Sequence, residues 1–537
     1  MLRLCSGSIN AARTPLPVYL IRLQFAILPK PMKITRVRAP ELPQQYPWLN
    51  TEYPLSLQQL KGRFVLLDFW TYCCINCLHV LPDLKYLEQK YQDSLTVIGI
   101  HSAKFDNERE VENIRQAILR YDIEHPILVD SGFNVWEQYA VRGWPTLVLI
   151  DPQGYYLGSV SGEGHRDELD ELLSQLIPAY QEQGKINFQE FSLTLEKQKQ
   201  PLITPLAFPG KVLADEEGNR LFIADSGHHR IVVTTLNGEI LHLIGTGKSG
   251  LTDGSFSEAQ FFSPQGMALD AENEILFIAD TENHAVRQID LKQEIVETIA
   301  GNGKQSHYIR PHCGLGGEIS LNSPWDLVKV RNCLFIAMAG CHQIWEMQLE
   351  TGTIQTYAGS GAEACLDGEL TESAFAQPSG ITTDGQELYI ADSEVSSIRS
   401  VGIAENPQVR TVCGNGALFG FGDIDGSGLD VRLQHCLGVE YAQNYLWVAD
   451  TYNHKIKRVE IKTSICHTLL GDGQVGHQDG EGINTRFCEP SGLSATTSHL
   501  YIADTNNHAI RQVELESLKV TTLKFQALCA PDVCVPG

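Results

Sequence analysis

Positive charge is scarce in this chain of 537 residues, where 41 lysines and arginines face 65 aspartates and glutamates for a net charge of −24. Proteins that bind nucleic-acid backbones need clustered Lys and Arg, so this balance argues against nucleic acid as a partner. Beyond residue 31 no stretch approaches the ~18 uninterrupted apolar residues of a membrane-spanning helix, and we expect no membrane span. The length and a hydrophobic content of 43% predict two or three globular domains.

Acidic residues are absent from the first 40 positions, where several Arg and Lys stand, and the first acid is Glu41. This bias is found in targeting segments. However, Pro15 and Pro17 interrupt the apolar part, and no small-residue cleavage site follows. We therefore interpret residues 1–39 as a flexible extension, or as a start placed upstream of the natural Met32.

Most of the 14 cysteines are scattered. Several stand inside apolar, strand-like runs: Cys333, Cys413 and Cys466. Such cysteines are typically small buried hydrophobes rather than halves of disulfides. We therefore expect a reducing, cytoplasmic location. The exception is one cluster: Cys73, Cys74 and Cys77.

This cluster follows an apolar run that ends in the aromatics Phe69 and Trp70. Cys74 and Cys77 open a helical pattern, with apolar residues at 75, 78, 81, 84 and 87. The N-terminus of a helix offers free N–H groups and a positive dipole end, which stabilise a thiolate. A thiolate is the nucleophilic form of cysteine. The order strand, turn, CxxC, helix therefore predicts a dithiol–disulfide redox centre.

Three other sites for these cysteines are disfavoured. A zinc site wants a second ligand pair, and Cys74, Cys77 and His79 supply only three candidates. A c-type haem needs His directly after the second cysteine, where Leu78 stands. A peroxidatic Pro-x-x-x-Thr-x-x-Cys motif is broken because Leu67 occupies the proline position. We therefore expect neither a cofactor nor a metal.

Strands and helices alternate through residues 40–180, which predicts an α/β domain around a central sheet. The predicted helices cover 75–91, 108–121, 133–139 and 165–180. The predicted strands cover 64–69, 95–101, 127–129, 143–151 and 155–160.

This part resembles the thioredoxin fold, in the branch shared with thiol-specific antioxidant and cytochrome-biogenesis thioredoxins. The features that match are Asp68 in the strand, the CxxC pair, Pro82 five residues after Cys77, and Pro145 between Trp and Thr. The resemblance implies that Cys74 attacks a substrate disulfide and that Cys77 resolves the mixed disulfide. Asp68 then exchanges the proton of Cys77. Pro145 would form the cis-proline loop beside the disulfide.

The turn also departs from the thioredoxin pattern. Cys73 stands where thioredoxins usually have Trp, and Ile75-Asn76 replaces Gly-Pro. Because the intervening residues help to set the redox poise, the sequence leaves the direction of electron flow open. Cys73 is an accessory thiol, available to mispair or to resolve a mixed disulfide.

From residue 206 a repeated pattern takes over, an apolar residue followed by Ile/Val-Ala-Asp and then His. Its fourth position falls at 225, 280, 338, 392, 450 and 504, in steps of 55, 58, 54, 58 and 54 residues. Six such units predict a radial all-β repeat. The pattern resembles NHL repeats, which implies a six-bladed propeller over 206–525, after a linker at 181–205 and before a tail at 526–537.

Because the Asp and His recur in nearly every unit, they indicate architecture rather than catalysis. We expect the Asp to accept backbone N–H groups and the His to donate within its blade. The Asp-Gly loops between units fit turns more simply than Ca²⁺ sites. The third unit has Met338 in place of Asp and a long loop at 302–321, where we expect a binding surface. We also expect the last blade to borrow a strand, from 188–195 or from 518–523.

A thioredoxin-like domain, NHL repeats and the sequence Thr-Tyr-Cys-Cys-Ile-Asn-Cys at 71–77 together resemble the NHL-repeat-containing protein 2 family over about residues 40–525. Animal members carry a further C-terminal β domain, so the length of this chain leads us to expect a bacterial-type member. Two functions stay open. One is a thiol–disulfide oxidoreductase whose propeller recruits or positions protein partners, and the other is a non-catalytic interaction scaffold. Hydrolase or lyase chemistry is disfavoured, since acid/base residues outside the repeats do not converge.

Overall fold

The computed structural model describes residues 36–187, 193–531 and 533, so the strand expected at 188–195 lies partly outside the described residues. An α/β domain comes first and a six-bladed β-propeller follows, as the sequence predicts. The two domains pack against each other through the redox turn. None of the helices in the described part of the chain is both long and apolar enough to cross a membrane.

The α/β domain is built on a six-stranded sheet in the order β1-β4-β3-β2-β5-β6. Its strands are β1 Trp48–Leu49, β2 Phe64–Trp70, β3 Leu95–His101, β4 Ile127–Val129, β5 Thr146–Ile150 and β6 Tyr156–Ser161. Strands β2, β3 and β4 are parallel, and β5 joins β2 antiparallel. Every residue of β2 and β3 is buried, which explains why both read as continuous apolar runs.

Four helices cover this sheet: α1 Ile75–Lys90, α2 Val111–Arg120, α3 Asn134–Gln138 and α4 Arg166–Glu182. Each predicted helix is confirmed, although α2 begins later than predicted because Asn107–Arg109 forms a separate 3-10 turn. Pro82 lies inside α1. A short helix in the linker, α5 Glu196–Lys199, is tied back to this domain, since the Glu196 backbone N–H donates to Asn50 Oδ1 at 2.8 Å.

Each propeller blade is a sheet of four main strands in consecutive order along the chain. Blade 1 consists of Val212–Asp215, Arg220–Asp225, Arg230–Thr234 and Ile240–Ile244. Blade 2 consists of Pro264–Asp270, Ile275–Asp280, Ala285–Asp290 and Ile295–Ala300. Blade 3 consists of Pro324–Val330, Cys333–Met338, Gln343–Gln348 and Thr353–Ala358. Blade 4 consists of Pro378–Thr383, Glu387–Asp392, Ser397–Gly402 and Gln408–Cys413. Blade 5 consists of Gly438–Ala442, Tyr445–Asp450, Lys455–Glu460 and Ile465–Leu470. Blade 6 consists of Pro490–Ala495, His499–Asp504, Ala509–Glu514 and Lys519–Thr522. Short outer strands add to blades 2 to 6: Gly254–Ser255, Cys313–Leu315, Gly368–Glu369, Gly426–Ser427 and Gly480–Glu481.

The repeated Asp is architectural, as predicted. In blade 2 the Asp280 carboxylate accepts the Phe262 backbone N–H at 2.7 Å and forms a fully buried ion pair with Arg287 at 2.8 Å. The same pairing recurs in blades 4 and 6: Asp392 with Arg399, and Asp504 with Arg511. These carboxylates therefore fix the turns of their own blade.

The repeated His acts differently from the prediction, because it accepts a hydrogen bond from the next blade rather than donating within its own. His284 Nδ1 accepts the Ser323 backbone N–H at 3.1 Å, and His454 Nδ1 accepts that of Glu489 at 3.1 Å. Each repeated His adopts a left-handed conformation, with φ between 48° and 57°. This conformation turns the ring away from its own blade and toward its neighbour.

Blade 6 takes its four main strands from consecutive chain, so the expectation of a borrowed strand at 518–523 is wrong, whereas residues 188–192 of the other candidate segment lie outside the described residues. The segment Lys519–Thr522 is the fourth main strand of blade 6 itself. Blades 6 and 1 are joined instead by the Phe208 backbone N–H donating to His508 Nδ1 at 3.1 Å, and by Ser491 Oγ donating to the Gly210 carbonyl at 2.5 Å. The closing contact therefore has the same form as the contacts between other blades.

Candidate functional site

The two predicted redox cysteines lie at the start of α1, directly after the buried strand β2. Cys74 is the N-cap residue and is half-buried, whereas Cys77 is fully buried in the first turn. The two thiols lie within hydrogen-bonding reach of each other. Burial raises the pKa of the Cys77 thiol well above its usual value, and its contact with Cys74 raises it further. The geometry therefore gives one half-buried thiol and one fully buried, protonated thiol.

Asp68 lies in the middle of β2, fully buried and close enough to Cys77 to influence its ionisation. Neither carboxyl oxygen has a hydrogen-bond partner within the described residues. Burial raises the pKa of Asp68 to about 7, and the nearby His125 opposes that rise. A buried carboxyl with a pKa near neutrality is suited to accept and return a proton.

Pro145 is buried and follows a cis peptide bond from Trp144. Its carbonyl accepts the Gly162 backbone N–H at 2.9 Å, so one of its backbone groups is already occupied. The Trp144 ring is half-buried and packs against Trp136, with ring centroids 4.7 Å apart. Trp144 also belongs to the apolar cluster that contains all three cysteines of the redox turn. The structure thus brings the predicted proline loop to the redox turn.

Cys73, the accessory thiol, is only 2% exposed. Burial raises its pKa well above the usual value, and the carboxylate of Glu108 adds to the rise. A buried, protonated thiol is a poor nucleophile. Cys77 is as deeply buried, but it lies beside the carboxyl of Asp68, which has no hydrogen-bond partner among the described residues. The Glu108 carboxylate beside Cys73 already accepts hydrogen bonds from four groups, so this environment does not favour a resolving role for Cys73.

The carboxylate of Glu108, which the sequence reading did not single out, holds the loop before Cys74. One oxygen accepts from Thr71 Oγ1 at 2.7 Å and from the Cys73 backbone N–H at 2.9 Å. The other accepts the backbone N–H groups of Lys104 at 3.0 Å and Phe105 at 2.9 Å. Glu108 is fully buried, so these four bonds replace its hydration. The only sequence signal was an acidic residue at the start of a predicted helix.

The propeller covers the redox turn. The side-chain amide of Gln377, from blade 4, donates to the Cys73 carbonyl at 2.9 Å and accepts the Ile75 backbone N–H at 2.8 Å. An apolar patch continues this contact, with Ile75 and Leu78 of α1 packed on Trp325 and Ala339 of blade 3. This cover was not predicted from the sequence: the backbone on both sides of Cys74 is bonded to another domain.

A buried polar network joins the same face to blades 5 and 6. The Glu489 carboxylate accepts from Tyr72 Oη at 3.2 Å and from Asn107 Nδ2 at 2.9 Å, and it pairs with Arg120 at 2.7 Å. His454 Nε2 lies 3.0 Å from Asn107 Oδ1. A buried charge that lost its partner here would destabilise the protein by several kcal/mol, of the order of 3–5. The network therefore holds the two domains in one arrangement.

The long loop of blade 3 also faces the thioredoxin-like domain, in the region where the sequence analysis expected a binding surface. Gln305 Nε2 donates to Glu163 Oε2 at 3.1 Å. His79 of α1 lies between Glu163, at 2.5 Å, and Ser323 Oγ, at 2.7 Å. This part of the expected surface is thus occupied by the chain itself.

A metal site is not found in the described residues, where no group of three or more His, Cys, Asp or Glu has suitable geometry. The Asp-Gly loops have protein partners, as Asp253 shows by accepting from Thr298 Oγ1 at 2.8 Å and pairing with Arg287 at 2.7 Å. In the central channel Lys211 donates to the Ser379 and Leu437 carbonyls at 2.9 Å and 2.6 Å. Asp253 therefore stabilises its loop, and Lys211 links blade 1 to blades 4 and 5.

Known proteins match both parts of the chain. The Thioredoxin-like family matches residues 62–156. NHL repeat-containing protein 2 of Gallus gallus is 43% identical over 92% of this chain and 72% of that protein. The chloroplastic protein SUPPRESSOR OF QUENCHING 1 of Arabidopsis thaliana is 44% identical over 93% of this chain and 49% of that protein. Thiol-disulfide oxidoreductase ResA of Bacillus thuringiensis is 27% identical over 23% of this chain and 69% of that protein.

These matches confirm the predicted architecture and the resemblance drawn from the motif at 71–77 and the repeats. The first relative is similar along both domains, and this chain spans more than two thirds of it. The chain therefore belongs to the NHL repeat-containing protein 2 family.

Proposed function

We propose that the protein is a thiol–disulfide oxidoreductase whose propeller holds and presents the redox centre to protein partners. The observation that carries the proposal is Asp68, a buried carboxyl without a hydrogen-bond partner among the described residues, beside the buried thiol of Cys77. An unpaired buried carboxyl destabilises a fold, so its position next to a resolving cysteine favours a role in proton transfer. The similarity to ResA, named a thiol-disulfide oxidoreductase, covers part of the same domain.

The proposed reaction has two steps. The Cys74 thiolate attacks one sulfur of a substrate disulfide, which forms a mixed disulfide and releases the other substrate sulfur as a thiolate. Cys77 then transfers its proton to Asp68 and attacks Cys74 Sγ, which forms the Cys74–Cys77 disulfide and releases the second substrate thiolate. Two electrons pass from the dithiol to the substrate, and the reverse sequence oxidises a substrate dithiol.

The proposed location is the cytoplasm. Several thiols are buried in the blade cores and are in no disulfide: Cys413, Cys436 and Cys466. Reduced buried thiols are typical of proteins in reducing compartments.

Insulin reduction in the presence of dithiothreitol tests the proposal. We expect the wild-type protein to precipitate insulin chains faster than dithiothreitol alone, and Cys74→Ser to return the rate to that background. Cys313→Ser, at an exposed cysteine of blade 3, is the matched control and should keep the wild-type rate. Wild-type turnover at background, or turnover that survives Cys74→Ser, would contradict the proposal. Cys77→Ala should stall the mixed disulfide and so identify the partner by mass spectrometry.

The alternative is a non-catalytic scaffold, and the burial of the redox turn favours it. Ile75 is 1% exposed and Cys73 is 2% exposed, because the propeller lies on them. A scaffold would bind the same partners through non-covalent contacts. Capture of partners by Cys77→Ala that persists after reduction, and that Cys74→Ser leaves unchanged, would support this alternative.

A further inference from the structure

Gln377 is the propeller residue that touches the redox turn on both sides of Cys74. Its amide makes two hydrogen bonds, one to the Cys73 carbonyl and one from the Ile75 backbone N–H. The side chain is 2% exposed, so water does not compete for either bond. These contacts join the backbone at residues 73 and 75 and leave the residue between them enclosed by the pair.

The rest of Gln377 is fixed by blades 3 and 4. Its backbone N–H donates to His342 Nδ1 at 3.1 Å. Its carbonyl accepts from Ser379 Oγ at 2.9 Å and from Ser393 Oγ at 2.7 Å. A side chain anchored at both ends holds its amide in one orientation, which is the requirement for a group that positions another.

We propose that Gln377 is a positioning residue for Cys74, supplied by the propeller, that also limits how strongly the start of α1 stabilises the Cys74 thiolate. The Ile75 N–H is the first amide of α1 and has no acceptor within the helix. Such amides form the positive end of a helix. The Gln377 carbonyl oxygen occupies this amide and so reduces the positive potential beside Cys74. This inference rests on the proposed thiol chemistry and adds to it the propeller group that tunes the nucleophile.

The test is the pH profile of Cys74 alkylation by iodoacetamide in the full-length protein, read at that residue by tandem mass spectrometry. Gln377→Met keeps the volume but frees the Ile75 amide. We expect the midpoint of the profile to fall by about half a pH unit, with alkylation at pH 7 about three-fold faster. Gln377→Glu places a carboxylate beside the thiolate and should raise the midpoint by about one pH unit.

Gln434 offers a matched control. It is another buried glutamine at the domain interface, and its Oε1 accepts the Asn107 backbone N–H at 3.1 Å, away from Cys74. Gln434→Met should leave the profile of Cys74 unchanged. If Gln377 only holds the two domains together, Gln377→Met and Gln434→Met should give the same pH profile of Cys74 alkylation. That result would overturn the inference. If Gln377→Met does not fold, Gln377→Glu decides alone, and an unchanged or lowered midpoint rejects the inference.

The alkylation profile requires no turnover, so the two proposals fail separately. Shifted profiles in a protein without insulin reductase activity would reject the oxidoreductase function and retain the positioning role of Gln377. Normal insulin reduction with unshifted alkylation profiles would retain the oxidoreductase function and reject the positioning role of Gln377.

Discussion

The buried carboxyl of Asp68 should make the protein less stable as the pH rises from 3.8 to about 7, and Asp68→Asn should remove this effect. The pKa of Asp68 in the native state is about 7, against the ordinary value of 3.8 for aspartate. A raised pKa means that the native state binds the proton more tightly than the unfolded state. The penalty for burying the ionised group therefore appears as pH rises above 3.8, and it is complete above about pH 7.

The size of the effect follows from the shift in pKa. A difference of about 3 pH units corresponds to about 4 kcal/mol at 1.36 kcal/mol per unit. Asn has no charge to bury, and its unpaired amide costs about as much as the unpaired neutral carboxyl, roughly 1–3 kcal/mol each. We therefore expect Asp68→Asn to raise the free energy of unfolding by about 3–5 kcal/mol at pH 8. At pH 4, where the native carboxyl is neutral, the two proteins should agree within about 1 kcal/mol.

Urea unfolding followed by tryptophan fluorescence at both pH values measures this difference. Asp106→Asn, at an exposed carboxylate of the same domain, should change stability by less than about 0.5 kcal/mol at either pH. The same Asp68→Asn protein should resolve mixed disulfides at least about 100-fold more slowly at pH 7, because it lacks the general base. Equal stability of variant and wild type at pH 8, or unaltered resolution, would refute the reasoning.

Three further perturbations test the environment of the site. His101 is fully buried, and burial lowers its pKa to about 3. The protein should therefore lose stability as the pH drops below 6.5, the ordinary pKa of histidine. In urea unfolding at pH 5, His101→Phe should raise the free energy of unfolding by about 2 kcal/mol. Glu108→Ala should lower the free energy of unfolding by about 3–5 kcal/mol and expose Cys73 to alkylation, and a Cys73 that stays unreactive would contradict this. Arg120→Met should destabilise by about 3 kcal/mol because it leaves the Glu489 carboxylate unpaired, and Glu489→Gln added to it should recover part of the loss; additive losses would speak against the pair.

The thioredoxin-like domain could be predicted closely because its signals are local. Buried strands give continuous apolar runs, α1 shows an apolar period from residue 75, and the CxxC pair directly precedes it. Asp68 and Pro145 were identified through the resemblance to the thioredoxin fold. In the structure Asp68 lies beside Cys77, and Trp144, which precedes Pro145, belongs to the same apolar cluster as the cysteines.

The cover over the site could not be predicted, because it depends on contacts between distant residues. Gln377 lies 302 positions from its partner Ile75, and in the sequence it is one polar residue in a repeat loop. The role of His284 was misjudged for a similar reason. The repeat shows that a His recurs, but only the packing of neighbouring blades shows that its Nδ1 accepts from the next blade.

Among the described residues, the first and last blades of the propeller meet in the same way as other neighbouring blades. Blades 6 and 1 meet through a His-to-backbone bond of the same kind as blades 2 and 3, and within the described residues no strand crosses between blades. The ring therefore does not depend on where the polypeptide enters it. A circularly permuted propeller, opened at any other loop between blades, would keep all of these His-to-backbone hydrogen bonds. The place where the chain enters the ring can therefore be set by the thioredoxin-like domain, which must lie over one face of the ring.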